Sequence, residues 1–231
     1  MNNAFQAAAV TDQPVRLANR VAPDGSLFDT KTHGSLMGNR GDLKVKNGHY
    51  NTPAGFRVWI HCLTTAPNLP NYKPREVKYT KLFFTDEATA LSAGHRPCGY
   101  YLRPRLDDFK TAWFEANRAL YTGQPAILDT LDRILHRERM ATNQRPHVSA
   151  RVHELPDGTF FRMGDSTYLS LHGVVVQWVR GEYIGAVTAP TVAHIQLLTP
   201  PSIIRLYSTG WKPAVDDVAI ALANQFVGSP A

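Results

Sequence analysis

The sequence predicts an α+β protein, on three observations. Two stretches, 105–121 and 125–141, repeat their apolar residues at the helical period of 3.6, and beyond residue 150 the period falls to two. Helical and strand signals are therefore segregated along the chain, unlike the strict alternation of a parallel α/β fold. At 231 residues, with 43% hydrophobic and 10% aromatic residues, the chain can bury one substantial core or two small ones. The expected organisation is a mixed α+β module with a Gly-rich N-terminal loop over 1–145, then an antiparallel β meander with terminal helices over 146–231, joined as one compact unit.

Residues 1–55 hold many Gly, Asn, Asp and Pro and few periodic apolar positions, and read as loops with short elements. Residues 56–64 (FRVWIHCLT) alternate and are rich in β-formers, giving a strand that carries His61 and Cys62. A polar, Pro-rich loop at 65–78 leads to a second short strand at 79–84. Thr85-Asp86-Glu87 supplies an N-cap and two acids for the first turn of a helix that stops at Gly94. The helix over 105–121 gathers Phe109, Ala112, Trp113, Ala116 and Leu120 on one stripe. The next, from Pro125 to about Ala141, gathers Ile127, Leu131, Ile134 and Leu135. Short strands at 149–154, 159–163, 167–171 and 174–179 are separated by turn signals at Pro156-Asp157-Gly158, Gly164-Asp165 and His172-Gly173. A strand at 194–198, a short helix opened by Pro200 and Pro201, and an amphipathic helix over 213–226 complete the chain.

No apolar run approaches the roughly 18–20 residues that span a bilayer, and the N-terminus lacks the basic start and apolar core of a signal peptide, so a soluble cytoplasmic protein is expected. Two cysteines, Cys62 and Cys98, are too few for a disulfide framework and read as free thiols or ligands. The net charge of +6 and pI of about 9.4 permit a polyanionic partner. Its distribution is uneven: residues 1–75, 76–150 and 151–231 carry net +5, +2 and −1. The basic surplus is N-terminal, without any Lys/Arg tract, and an ordinary solvated basic surface would look the same.

Three polar segments are candidates for chemistry. His33-Gly-Ser-Leu-Met-Gly-Asn-Arg-Gly41 sets three glycines beside His33, Asn39 and Arg40, in a loop whose backbone and Arg fork suit phosphate oxygens. It is neither a Walker A motif nor GxGxxG, and a purely structural loop is the competing reading. His95, Arg96 and Pro97 lead to the thiol of Cys98 just past a helix end. Glu138, seven residues after Leu131, falls in the apolar stripe of its helix beside His136 and Arg139. A buried carboxylate there needs a cationic partner, Arg40 or Arg96, or takes a raised pKa; a structural ion pair or a frayed last turn are the alternatives. Trp178 and Tyr183, flanking the turn Arg180-Gly181, would suit either base stacking or the core.

The stretch YTKLFFTDEATALSAGHRPCGY (79–100) resembles the N-terminal domain of the Ada DNA-repair protein, where a short strand and an EA-rich helix lead into an Arg-Pro-Cys-x-x-Cys motif. Arg96, Pro97 and Cys98 match that motif, and Cys62 lies in a plausible upstream strand. With HGSLMGNRG before and LHRER and LTPPS after, the chain also resembles a family of uncharacterised bacterial proteins carrying an Ada-like module. The resemblance implies two zinc ligands from Arg-Pro-Cys-x-x-Cys, two more upstream, and methyl transfer from a DNA phosphotriester to one cysteine. This chain departs from that pattern: Tyr101 stands three residues after Cys98, and Ala66 four after Cys62. Zinc prefers four Cys/His ligands, so the sequence predicts no metal, no other cofactor and no zinc-dependent methyl transfer.

Two functions remain open. The first is a nucleic-acid-associated protein, in DNA repair, modification or defence, that uses a basic Ada-like face. His33, Asn39, Arg40, His95, Arg96, Arg103 and Arg139 are its candidate nucleic-acid or anion contacts. The second is a small-molecule or nucleotide-processing enzyme with Glu138 as general acid/base and Cys98 as nucleophile. A protein partner docking on residues 150–200 is a further reading, and no membrane partner is expected.

Overall fold

The computed structural model of the chain describes residues 18–46, 49–51, 55–65 and 79–228. The Pro-rich loop expected at 65–78 lies, apart from Thr65, outside the described residues, as does Ala66. The fold is α+β, with two six-stranded sheets, a small two-stranded ribbon and five α-helices among the described residues.

The first half contributes β1 (Arg20–Val21), β2 (Leu27–Phe28), β3 (Leu36–Asn39), the ribbon strands β4 (Lys44–Lys46) and β5 (His49–Asn51), β6 (Ile60–Leu63) and β7 (Leu82–Phe84). Helix α1 (Glu87–Ser92) and strand β8 (Arg96–Pro97) follow. Its sheet runs β2-β1-β7-β3-β6-β8, mixed, with β1 parallel to β7 and β6 parallel to β8. Asp86 caps α1 as expected: its carboxylate accepts from Thr89 N at 2.8 Å, and from the Tyr183 hydroxyl and Asp216 N.

The segment expected to be a glycine loop is instead the central strand β3, paired with both β6 and β7. Gly38 explains the difference. A Cβ there would sit 2.3 Å from Ile60 O and 2.7 Å from the Phe84 ring, so the close approach is to the protein's own interior.

Helices α2 (Arg103–Ala116) and α3 (Leu128–Met140) match the two helical stripes with shifted ends. Ile127 precedes α3 and is exposed rather than buried. Leu106, Phe109 and Trp113 of α2 pack on Leu131, Ile134 and Leu135 of α3, with Leu91 closing the layer. Each such burial contributes about 1.5–3 kcal/mol.

The second sheet holds β9 (Val148–Ala150), β10 (Phe160–Met163), β11 (Ser166–Leu171), β12 (Val174–Val179), β13 (Glu182–Thr188) and β14 (Ala193–Leu197), ordered β13-β12-β11-β10-β14-β9 and antiparallel throughout. Helices α4 (Pro201–Ser208) and α5 (Asp217–Gly228) end the chain. Strand β13 is absent from the sequence reading, because a register shift at Gln177/Trp178 and Gly185 break the alternation that would have announced it. Trp178 and Tyr183 are core residues on the face packed by Ala219 and Ala223 of α5, so they offer no platform for a base. That cluster also takes Ala22 and Ala88, and Trp178 Nε1 donates to Thr85, so the two halves share a core. No described helix is long and apolar enough to cross a membrane.

Candidate functional site

Three strands of the first sheet end side by side. Asn39 pairs with Ile60 across the antiparallel β3/β6 ladder, and Ile60 with Arg96 across the parallel β6/β8 pair. The next residue outward on each strand is Arg40, Trp59 and His95. Arg139, in the last turn of α3, comes in from the helical layer.

Both guanidinium carbons lie over the Trp59 ring, Arg40 at 4.0 Å and Arg139 at 4.1 Å from its centroid. His95 packs between rings, 4.9 Å from Trp59 and 4.7 Å from Phe84, and its Nε2 accepts from Arg40 Nε at 3.2 Å. Arg139 donates to Gly94 O at 3.2 Å and Arg57 O at 2.7 Å, and sits 3.0 Å from His136 Nδ1. All four of Arg40, Trp59, His95 and Arg139 are buried.

The charge balance is unusual for an interior. Asp132 holds Arg96 bidentately, at 2.8 and 3.1 Å, and Asp24 pairs with Arg162 at 3.1 Å. Arg40 and Arg139 feel these carboxylates only at a distance, and no ion pair among the described residues joins either to a carboxylate. Among the described residues, Arg40 Nη2 and Arg139 Nε have no hydrogen-bond acceptor. Burial lowers Arg40 to about 9, helped by the charge of Arg139, and burial lowers Arg139 to about 9 as well. Burial, then Arg40 and Arg139, pushes His95 well below its ordinary value, so it is a neutral acceptor.

The other sequence-predicted residues lie elsewhere. Arg96 is engaged by Asp132, and Arg103 is exposed and paired with Asp107. Asn39 turns its side chain onto Gly41 N, and His33 is exposed on the rim of a small cleft with Arg20 and Phe28. Glu138 points inward as the wheel implies, but its partner is α4 and not Arg40 or Arg96. Its carboxylate accepts from Ser202 Oγ at 2.5 Å and Ser202 N at 3.1 Å, with Arg205 at 3.7 Å. Burial raises its pKa against the pull of those donors.

The parallel β6/β8 register brings Cys98 beside Cys62, and each thiol shifts the other's pKa. The neighbouring Cys62 thiol, with the backbone amides of the turn that follows, Tyr100 N among them, lowers Cys98 against the opposing effect of burial. The Cys98 thiol, then burial, raises Cys62. No group of three metal-ligating side chains occurs among the described residues. His61 and Cys62, neighbours on β6, face opposite ways: His61 lies 3.7 Å from Glu87, which Arg105 grips at 2.6 and 3.0 Å. Burial lowers His61 to about 4.

Trp59 and Asp132 are the participants to which the sequence assigns no role, whereas Cys62 reads there as a free thiol or ligand. Asp132 stands seven residues before Arg139, on the same face of α3, and that spacing could have flagged it. Nothing in FRVWIHCLT marks Trp59 as the platform for two arginines. Comparison with protein-family models, curated proteins and solved structures finds no match to this chain.

Proposed function

We propose that this protein is nucleic-acid-associated and takes a phosphate of its partner at the Arg40–Trp59–Arg139 stack, on an Ada-like scaffold that works without zinc-dependent methyl transfer. The observation that carries the reading is buried positive charge without a carboxylate of its own: Arg40 and Arg139 are both buried, Asp132 is engaged by Arg96, and no ion pair among the described residues joins Arg40 or Arg139 to a carboxylate. A phosphate diester or monoester brings negative charge and acceptor oxygens, which the free N–H groups of Arg40 and Arg139 require. Arg57 is the outer contact. Its side chain is exposed and its charge reaches His136, while its carbonyl occupies Arg139 Nη2, where a phosphate oxygen would replace it.

The test is binding of labelled single- and double-stranded oligonucleotides, followed by anisotropy across a salt series. Affinity should fall linearly on a log–log plot. Arg57→Ala should flatten the slope by about one unit with the fold intact, as a lost phosphate contact does. Arg139→Gln should weaken binding at every salt concentration. No binding at low salt, or binding indifferent to both substitutions in proteins whose melts show them folded, would overturn the proposal. Glu138 has no part in it, since its carboxylate is engaged by the first turn of α4.

A further inference from the structure

Cys62 and Cys98 stand in a geometry that the nucleic-acid reading does not use. Strands β6 and β8 pair in parallel with Ile60 opposite Arg96 and His61 opposite Pro97, and Cys98 N donates to His61 O at 2.8 Å. The next step of that register sets Cys62 opposite Cys98. Partners on adjacent strands lie about 4.8 Å apart with side chains on one face, within the Cα separation of about 4.4–6.8 Å that a disulfide bridges. Both are free thiols, each 7% exposed or less. The sulfurs also differ. Cys98 precedes α2, and Tyr100 N donates to its Sγ at 3.3 Å, so a negative sulfur is stabilised there; Cys62, inside β6, lies beside it. Gly99 and Tyr100, the turn that follows Cys98, are exposed and give a small oxidant its approach.

We infer that Cys62 and Cys98 form a peroxide-responsive redox pair, with Cys98 the attacking and Cys62 the resolving thiol, closing a reversible cross-strand disulfide. In the first step the Cys98 sulfur attacks one oxygen of hydrogen peroxide. The O–O bond breaks, Cys98 becomes a sulfenic acid, and hydroxide leaves with the thiol proton as water. In the second the Cys62 sulfur attacks the sulfenic sulfur, the S–S bond forms, the S–O bond breaks, and the hydroxyl leaves with the Cys62 proton as a second water. Two thiols lose two electrons in total, and the peroxide gains them.

The experiment uses the full chain, purified under reducing conditions and exposed in its folded state to hydrogen peroxide. Intact mass and titratable thiols are followed before treatment, after it, and after dithiothreitol. The expected result is joint loss of both thiols, a mass lower by two hydrogens, and full recovery of both with the reductant. Cys62→Ser should stop at a sulfenic acid on Cys98 that dimedone traps, whereas Cys98→Ser should leave Cys62 reduced in the same exposure. Two thiols still titratable after peroxide, dimers linked between chains, or thiols masked by co-purified zinc until a chelator frees them would each overturn the inference. The wild-type mass and thiol count decide the matter even where a serine variant fails to fold. Oligonucleotide binding plays no part in this readout, so the two proposals fail separately.

Discussion

Gly94 shows how a single residue sets the candidate site. It ends α1 with φ at +78°, a conformation that costs any other residue strain, and a Cβ there would lie 2.9 Å from Cδ and 3.0 Å from Cβ of Arg139. The missing side chain therefore lets the α1 terminus turn and lets Arg139 lie against it, with Gly94 O accepting from Nη1. Gly94→Ala is expected to destabilise the protein by about 1–3 kcal/mol through backbone strain, and to shift Arg139 off Trp59. A urea melt reads the first effect and the near-ultraviolet circular dichroism of the indole the second; an unchanged melt would contradict this account. That Gly94 stops a helix was legible in the sequence, since glycine is the usual residue there. That it also makes room for a side chain 45 residues away was not, because the contact exists only once α3 packs on α1.

Among the elements, α4 is capped from outside. Its N-cap position is Pro200, which has no side-chain acceptor, and the first-turn N–H of Ser202 is taken by Glu138 of α3 instead. The anion also sits at the positive end of the helix dipole, which offsets part of the cost of burying it. Glu138→Gln removes the charge and weakens the hydrogen bonds while keeping the shape. We expect a loss of about 1–2 kcal/mol in a thermal or urea melt, the size of a helix cap, with nucleic-acid binding unchanged. A loss of about 3–5 kcal/mol would instead mark a broken buried ion pair, and no loss of stability with lost binding would mark a functional acid. The helical wheel was sufficient to aim Glu138 inward, because 100° per residue is fixed by backbone geometry. It could not supply the partner, which stands 64 residues later on another helix.

Across the whole molecule, buried ionisable groups set how stability follows pH. His61 is held neutral, its pKa lowered to about 4 by burial from an ordinary 6.5. Between those values the unfolded chain takes up a proton that the folded chain refuses. The His61 contribution is therefore complete above pH 6.5 and is lost on acidification, by about 3 kcal/mol once pH reaches 4. Asp86, Asp132 and Glu138, whose pKa values are raised mainly by burial, act in the opposite direction, as carboxylates the fold prefers protonated. Comparing wild type with His61→Gln cancels these shared groups. The variant should gain on wild type steadily as pH falls from 7 towards 4.5, and a difference constant over that range would remove His61 from the account.

The sequence by itself determined the α+β class, the helices α2 and α3, the capped start of α1 and most of the meander, because periodicity, caps and turn residues act between near neighbours in the chain. It also brought forward Arg40, His95, Arg139 and Cys98 as residues of interest. Only the tertiary structure decided which of them meet. Antiparallel pairing of β3 with β6 and parallel pairing of β6 with β8 bring Arg40, Trp59 and His95 to one sheet end and Cys62 beside Cys98, while packing commits Arg96 to Asp132 and Glu138 to Ser202. Strand register and helix packing are settled by contacts between residues distant in the chain, and no local pattern encodes which strand edge a given residue will face.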